Sequence, residues 1–144
     1  MAHIVRTVRT AWSPELAFAY MADFSHAAEW DPGVAAARRE DDGEVALGSV
    51  FELMIRVGGR RFPLRYEVTH FAPPQVTFTA RSFALESVDT VTVTDRGGET
   101  EVRYDARIHL RGLLRIADPL LALGFRGVAD RAIAGLERRL SEAA

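Results

Sequence analysis

Residues 101–110, EVRYDARIHL, and residues 121–140, LALGFRGVADRAIAGLERRL, follow two different hydrophobic periods. In the first stretch apolar side chains occupy every second position, as in a half-buried β-strand. In the second they recur every three or four residues, as in an amphipathic helix. The helical positions are Leu121, Phe125, Val128, Ala132, Leu136 and Leu140. The change of period at Arg111-Gly112 therefore separates a strand region from a long final helix.

The alternation seen in residues 101–110 extends back through the chain to about Val34. Charged side chains occupy the positions between the apolar ones, which is typical of antiparallel strands with one solvated face. Turn sequences interrupt the pattern at regular intervals, as in a meander of hairpins. These turns are Asp41-Asp42-Gly43, Gly58-Gly59, Pro73-Pro74 and Gly97-Gly98.

The first 33 residues predict one strand and two short helices. His3–Ala11 is rich in β-branched residues and is interpreted as a strand. Ser13-Pro14-Glu15 supplies an N-cap, a first-turn proline and a first-turn acid, so a helix is expected to run to about Asp23. A second helical piece is expected over Ser25–Trp30, ended by Asp31-Pro32-Gly33.

These elements together predict an α+β fold. A curved antiparallel sheet of about seven strands wraps around the long C-terminal helix, and the two short helices follow the first strand. The chain of 144 residues is treated as a single domain, residues 1–144, large enough for one sizeable core.

Composition excludes several classes of protein. Hydrophobic residues make up 48% of the chain and charged residues 26%, which is ordinary for a folded protein. No cysteine is present, so disulfides and thiolate metal sites are excluded. With 18 basic and 20 acidic residues the net charge is −2, and no nucleic-acid partner is expected. Every basic residue other than histidine is arginine, a bias that we attribute to a GC-rich, bacterial coding sequence.

The chain has no apolar stretch long enough to span a membrane, and Pro14 and Glu15 interrupt the N-terminal apolar segment, so a cytoplasmic location is expected. Membrane contact is not expected either, because the apolar face of the final helix is used to cap the sheet. Common motifs for nucleotide binding and hydrolysis are missing, and the four histidines are widely spaced. We therefore expect no cofactor and no metal site.

Polar residues on apolar strand faces are the candidates for chemistry. Tyr66 and Tyr104 lie between apolar neighbours, His70 follows two residues after Val68, and Asp89 shares its face with apolar valines. Such groups can hydrogen-bond a ketone or move a proton. The alternative is structural: buried tyrosines bonded to backbone or water, and Asp89 turned outward by a bulge.

Several short motifs resemble the START-like SRPBCC superfamily, and within it the polyketide cyclase/dehydrase branch. The resemblance covers essentially the whole chain and rests on short, mostly structural motifs. They are Ala11-Trp12-Ser13-Pro14-Glu15 with Phe18 and Asp23, Trp30-Asp31-Pro32-Gly33-Val34, Gly48 with Phe51, and Gly97-Gly98-x-Thr100-x-Val102. The resemblance implies a helix-grip fold with a deep apolar cavity, and a ligand among lipids, polyketides, aromatic metabolites and other hydrophobic molecules.

Under this fold we expect a cavity of several hundred Å3 between sheet and helix, kept open by small residues on the helix. Trp30 is either a ligand contact or a core anchor. The expected ligand-contacting residues are Trp30, Phe51, Leu53, Leu64, Tyr66, Phe78, Asp89, Tyr104, Phe125 and Ala129.

Two functions fit the sequence. The first is binding of a hydrophobic small molecule without chemistry. The second is a polyketide cyclase or dehydratase in which Asp89, Tyr66, Tyr104 or His70 handles protons. Polar side chains that converge on one point of the cavity would favour the enzyme, and scattered hydroxyls would favour binding alone. The sequence does not indicate an oligomeric state.

Overall fold

The computed structural model describes residues 1–144 and contains one antiparallel sheet, three α-helices and two 3₁₀ segments. The order along the chain is β1 (Ala2–Thr10), α1 (Pro14–Ala22), a 3₁₀ turn (Phe24–His26), α2 (Ala27–Trp30), β2 (Val34–Arg39), β3 (Val50–Val57), β4 (Arg60–Ala72), β5 (Gln75–Arg81), β6 (Leu85–Asp95), β7 (Thr100–Leu110), a second 3₁₀ segment (Gly112–Ala117) and α3 (Asp118–Leu140).

The seven strands pair in the order β1-β7-β6-β5-β4-β3-β2. Strands β2 to β7 form consecutive hairpins, and β1 joins the sheet beside the last strand, β7. The helices cover the inner face of this sheet, so the α+β helix-grip architecture predicted from the sequence is confirmed.

The start of α1 follows the expected capping pattern. Ser13 has extended backbone geometry, and its hydroxyl accepts a hydrogen bond from the backbone N–H of Leu16 at 3.2 Å. Pro14 occupies the first turn, where no N–H partner is needed. The second helical piece is divided into the 3₁₀ turn and the single turn of α2; it begins at Phe24, one residue before the predicted start, and ends at Trp30 as predicted.

The C-terminal half of α3 is anchored to the rest of the fold. The Thr10 hydroxyl donates to the Leu140 carbonyl at 2.7 Å, and the Trp12 indole donates to the Glu142 carbonyl at 2.8 Å. Gly135 faces α2 so closely that a Cβ there would lie within 2 Å of the Trp30 carbonyl oxygen. Only glycine permits this approach, and it sets the distance between α3 and α2.

The N-terminal half of α3 differs from the uniform buried stripe expected from the sequence. Ala132, Leu136 and Leu140 are buried, as predicted, but Val128 is 40% exposed and Phe125 is only partly buried. The reason is that this half of the helix bridges a cavity rather than packing on the sheet.

An aromatic cluster closes the other end of the sheet's inner face. Phe24, from the 3₁₀ turn, stacks on Phe78 with ring centroids 4.2 Å apart. It also meets Tyr66 and Phe51 edge-on, at 5.0 and 6.4 Å. This cluster fills the space between the sheet and the 3₁₀ turn at this end of the fold.

The outer face of the sheet carries ion pairs, as the alternating charges predicted. Arg65 pairs with Glu40 at 3.0 Å, and Asp105 lies within 4 Å of both Arg103 and Arg107. No helix combines the length and the apolar character needed to cross a membrane.

We predict that Gly135→Ala lowers the free energy of unfolding by about 2 kcal/mol or more, because the new methyl group would overlap the Trp30 carbonyl. The matched control is Gly124→Ala on the same helix, where an added Cβ meets nothing within 4 Å. Helix propensity predicts that this control gains roughly 0.5–1 kcal/mol. Urea unfolding of both variants tests the prediction, and a Gly135→Ala variant as stable as the Gly124→Ala variant would contradict it.

Candidate functional site

A cavity of about 360 Å3 lies between the inner face of the sheet and α3. Its size is in the range predicted from the sequence. Fourteen of its 22 lining residues are hydrophobic, so the walls are mostly apolar. Ala129 and Ala132 line the helix side, and these small side chains leave space that larger residues would fill.

Asp89 lies in this cavity, at the middle of β6. Pairing is regular with β5 from Glu86 to Thr92 and with β7 from Leu85 to Asp95, so no bulge turns its side chain outward. It has the same orientation as the buried Val91 and Val93 and is only 8% exposed. The Asp89 side chain therefore lies on the cavity side of the sheet.

Three hydroxyl groups form a hydrogen-bond chain that ends at the Asp89 carboxylate. The Tyr104 hydroxyl donates to Oδ2 at 2.6 Å, and the Ser87 hydroxyl donates to Oδ1 at 3.3 Å. The Tyr66 hydroxyl in turn donates to the Ser87 hydroxyl at 3.2 Å. Polar groups from β4, β6 and β7 thus converge on one buried carboxyl group.

Small residues on the intervening strands make this convergence possible. Tyr66 and Ser87 both lie opposite Ala80 of β5, so the tyrosine reaches across that strand without obstruction. Asp89 lies opposite Ala106 of β7, and Ala106 is the next inward-facing residue after Tyr104 on that strand. Larger side chains at Ala80 or Ala106 would separate the polar groups.

Burial raises the pKa of Asp89 from its ordinary 3.8 to about 6, while the hydrogen bonds from Tyr104 and Ser87 oppose the rise. Burial likewise raises the pKa of Tyr66 and of Tyr104, so both phenols stay protonated. A carboxyl group with a pKa of about 6 is mostly ionised at neutral pH and still binds a proton readily.

A second carboxyl group, Asp31, lines the cavity at the end of α2. Its Oδ1 atom accepts a hydrogen bond from the backbone N–H of Gly33 at 2.8 Å. Burial raises its pKa, and its charge adds to the rise in the pKa of Asp89.

Three arginines line the more exposed part of the cavity. Arg6 donates to Asp130 at 3.3 Å, and Arg56 donates to the Pro32 carbonyl at 2.8 Å. Arg131, on α3, is exposed. We call these three residues, Arg6, Arg56 and Arg131, the arginine rim.

The structure separates the ten predicted ligand-contacting residues into two groups. Trp30 lines the cavity and also belongs to the core, where it meets Tyr104 edge-on at 5.8 Å. Phe51, Leu53 and Phe78 do not line the cavity, because the core around Phe24 covers that part of the sheet. The seven that line it are Trp30, Leu64, Tyr66, Asp89, Tyr104, Phe125 and Ala129.

His70 does not reach the site. The pairing of β4 with β5 shifts between Val68 and His70, and the extra residue, Thr69, reverses the alternation. His70 is exposed as a result, while Phe71 turns inward and packs against Phe18 at 5.8 Å. The placement of His70 on the inner face was therefore wrong.

Several lining residues were not predicted. Arg6 alternates with the buried Ile4 and Val8, so the period of β1 could have identified it. No strand alternation could have identified the other three. Asp31 lies on a turn, Arg56 lies near the end of β3, and Arg131 lies on α3.

A family model described as "Polyketide cyclase / dehydrase and lipid transport" matches residues 1–141. The chain belongs to this family. As a member of the polyketide cyclase/dehydrase family, it has a fold that other solved structures share. No curated protein matches its sequence.

Solved structures with the same fold come from bacteria and plants. A START superfamily protein from Mycobacterium smegmatis has a TM-score of 0.76 at 16% identity, over 97% of both chains. The Zhui aromatase/cyclase from Streptomyces sp. R1128 has a TM-score of 0.74 at 13% identity, over 96% of this chain and 90% of that one. Ginseng major latex-like protein 151 from Panax ginseng has a TM-score of 0.71 at 12% identity, over 98% of both.

We predict that Asp89 makes the wild-type protein less stable as the pH rises from about 4 to about 6. Its pKa is higher in the folded protein than in the unfolded chain, so the folded state binds the proton more tightly. The free energy of unfolding therefore decreases as the pH rises through this range and Asp89 ionises. In Asp89→Asn this dependence is absent, so stability relative to wild type should increase by up to about 3 kcal/mol between pH 4 and pH 7.5.

Urea unfolding of both proteins at the two pH values measures this difference. Comparison across pH removes the constant cost of replacing a hydrogen-bond acceptor by an amide. Equal pH dependence in the two proteins would show that Asp89 does not titrate in this range.

Proposed function

We propose that this protein binds a hydrophobic small molecule, such as a lipid, a polyketide or an aromatic metabolite, in the cavity under α3. The observation that carries the proposal is the cavity itself, with its volume of about 360 Å3 and mostly hydrophobic lining. Burial of an apolar ligand there would release water from apolar surface on both partners. Membership of a family described by cyclisation, dehydration and lipid transport supports the same class of ligand.

We predict that hydrophobic ligands raise the melting temperature of the wild-type protein by several degrees at saturation. The panel should contain fatty acids, sterols, flavonoids and aromatic polyketides, measured by differential scanning fluorimetry. Ala129→Trp would fill the cavity and should abolish the shift. Ala134→Trp, on an exposed position of the same helix, is the matched control and should retain it.

Absence of any shift across the panel would contradict the proposal. So would equal shifts in wild type and Ala129→Trp, because binding would then occur outside the cavity.

The second candidate function is proton transfer on the bound molecule, as in a polyketide cyclase or dehydratase. The observation that favours it is the convergence of Tyr66, Ser87 and Tyr104 on Asp89. Convergent polar groups in an apolar cavity are a common arrangement in active sites. A carrier of purely apolar molecules needs no such group, and a buried carboxylate is costly without a compensating role.

In this reaction Asp89 takes a proton from a carbon that lies between two ketone groups of the substrate. The resulting enolate carbon adds to the carbon of a third, more distant ketone of the same chain, forming the new carbon–carbon bond and leaving the negative charge on that ketone's oxygen. The alkoxide produced there takes the proton back from Asp89, so the carboxylate is regenerated. Tyr104 holds the carboxylate in place through the 2.6 Å hydrogen bond.

We predict that Asp89→Asn reduces cyclisation of a synthetic β-polyketone by about a hundredfold or more, the usual contribution of a positioned base. Affinity for the hydrophobic panel should change far less. Asp105→Asn, which removes a carboxylate on the outer face of the same sheet, is the control and should keep its activity. Product formation is followed by mass spectrometry.

Equal turnover by wild type and Asp89→Asn would exclude Asp89 as the base. Absence of turnover by the wild-type protein, together with retained binding, would leave the carrier function alone.

A further inference from the structure

The hydroxyl protons of the Asp89 network all point toward Asp89. Tyr66 donates to Ser87, while Ser87 and Tyr104 donate to the two carboxylate oxygens. Each of these hydroxyls has one proton, and each proton is used within the network. With Asp89 ionised, the network offers the cavity only acceptor lone pairs.

An acceptor-only site discriminates between similar ligands. A ligand hydroxyl can donate a hydrogen bond to an oxygen of Asp89 or Tyr104. A ketone at the same place has no proton to donate, so its oxygen and the protein oxygens would repel each other. A buried group left without a partner costs more than a hydrogen bond gains, so this contrast is strong in a desolvated cavity. The site is desolvated in this sense, because Tyr66, Ser87 and Asp89 are all less than 9% exposed.

The arginine rim adds hydrogen-bond donors and positive charge to the lining of the same cavity. Arg6 is paired with Asp130 at 3.3 Å. Arg56 and Arg131 take part in none of the ion pairs of the chain. Guanidinium groups bind carboxylates well because their donors match the two oxygens.

We infer that the ligand is a hydroxylated hydrophobic carboxylic acid, with its hydroxyl group at Asp89 and its carboxylate at the arginine rim. This inference rests on the proposed function and names the chemical class of the ligand. The apolar walls, including Trp30 and Phe125, enclose the hydrocarbon or ring system between the two polar ends. The deep end selects a hydrogen-bond donor, and the rim selects an anion.

The test uses four matched probes, fatty acids of about ten to sixteen carbons that suit a cavity of this size. They are the (ω−1)-hydroxy acid, the (ω−1)-oxo acid, the unsubstituted acid and the methyl ester of the hydroxy acid. Isothermal titration calorimetry with the wild-type protein should give the tightest binding for the hydroxy acid. We expect the oxo acid to bind about tenfold more weakly, since its ketone cannot donate.

Two variants test which protein residues bind the carboxylate and the hydroxyl group of the ligand. Arg131→Gln should weaken binding of the hydroxy acid about three- to fivefold, as expected for a partly exposed ion pair, and leave the methyl ester unaffected. Arg126→Gln, on the same helix and outside the cavity, is the control and should change neither. Asp89→Asn introduces an amide donor, so the preference for the hydroxy acid over the oxo acid should disappear or reverse.

The outcomes separate this inference from the proposed function. If all four probes bind with equal affinity, the cavity takes a hydrophobic ligand and the inference is wrong. Tighter binding of the oxo acid than of the hydroxy acid also overturns it. If no probe binds and the broader hydrophobic panel gives no thermal shift, the proposed function itself fails.

Discussion

The contact between Gly135 and the Trp30 carbonyl controls the geometry of the whole inner face. It holds the C-terminal half of α3 against α2, while Thr10 and Trp12 fasten the end of the helix by hydrogen bonds to its last carbonyls. At the other end of the helix, Asp118 accepts a hydrogen bond from the backbone N–H of Leu110 at 2.8 Å, so α3 is held at both ends and passes over the sheet between these two attachments. The N-terminal half of α3 therefore spans open space instead of filling it, and the cavity follows from where the helix is attached.

The hydrogen-bond network around Asp89 also depends on that cavity. A carboxylate in a close-packed core is costly, because no solvent or ligand can reach its free lone pairs. Asp89 retains access to the empty volume while its two oxygens are held by Tyr104 and Ser87. The structure thus keeps a carboxyl group desolvated enough to raise its pKa to about 6 and open enough to contact a bound molecule. Proton transfer on a bound molecule would use this property, and so would recognition of a ligand hydroxyl.

The candidate site was only partly predictable, and the reasons lie in particular residues. Tyr66, Asp89 and Tyr104 lie on regularly paired segments, so alternation placed them correctly on the inner face. His70 was misplaced because one extra residue at Thr69 reversed the alternation, and nothing in the local composition marks that bulge. Phe51 and Phe78 were predicted to contact the ligand and do lie on the inner face, but Phe24 packs on them from the 3₁₀ turn and they do not line the cavity.

The order and type of the elements were determined by the sequence alone, because hydrophobic period, turn residues and capping residues act over a few neighbouring positions. They specify the strands, the start of α1 and the long final helix. Tertiary structure determined which inward-facing residues line the cavity and which fill the core, because that depends on contacts between distant segments. The same is true of the arginine rim, whose members lie on β1, β3 and α3 and line one cavity only in the folded protein. The burial and the electrostatic environment of Asp89 likewise depend on residues from several strands. A local sequence pattern around Asp89 therefore could not predict them.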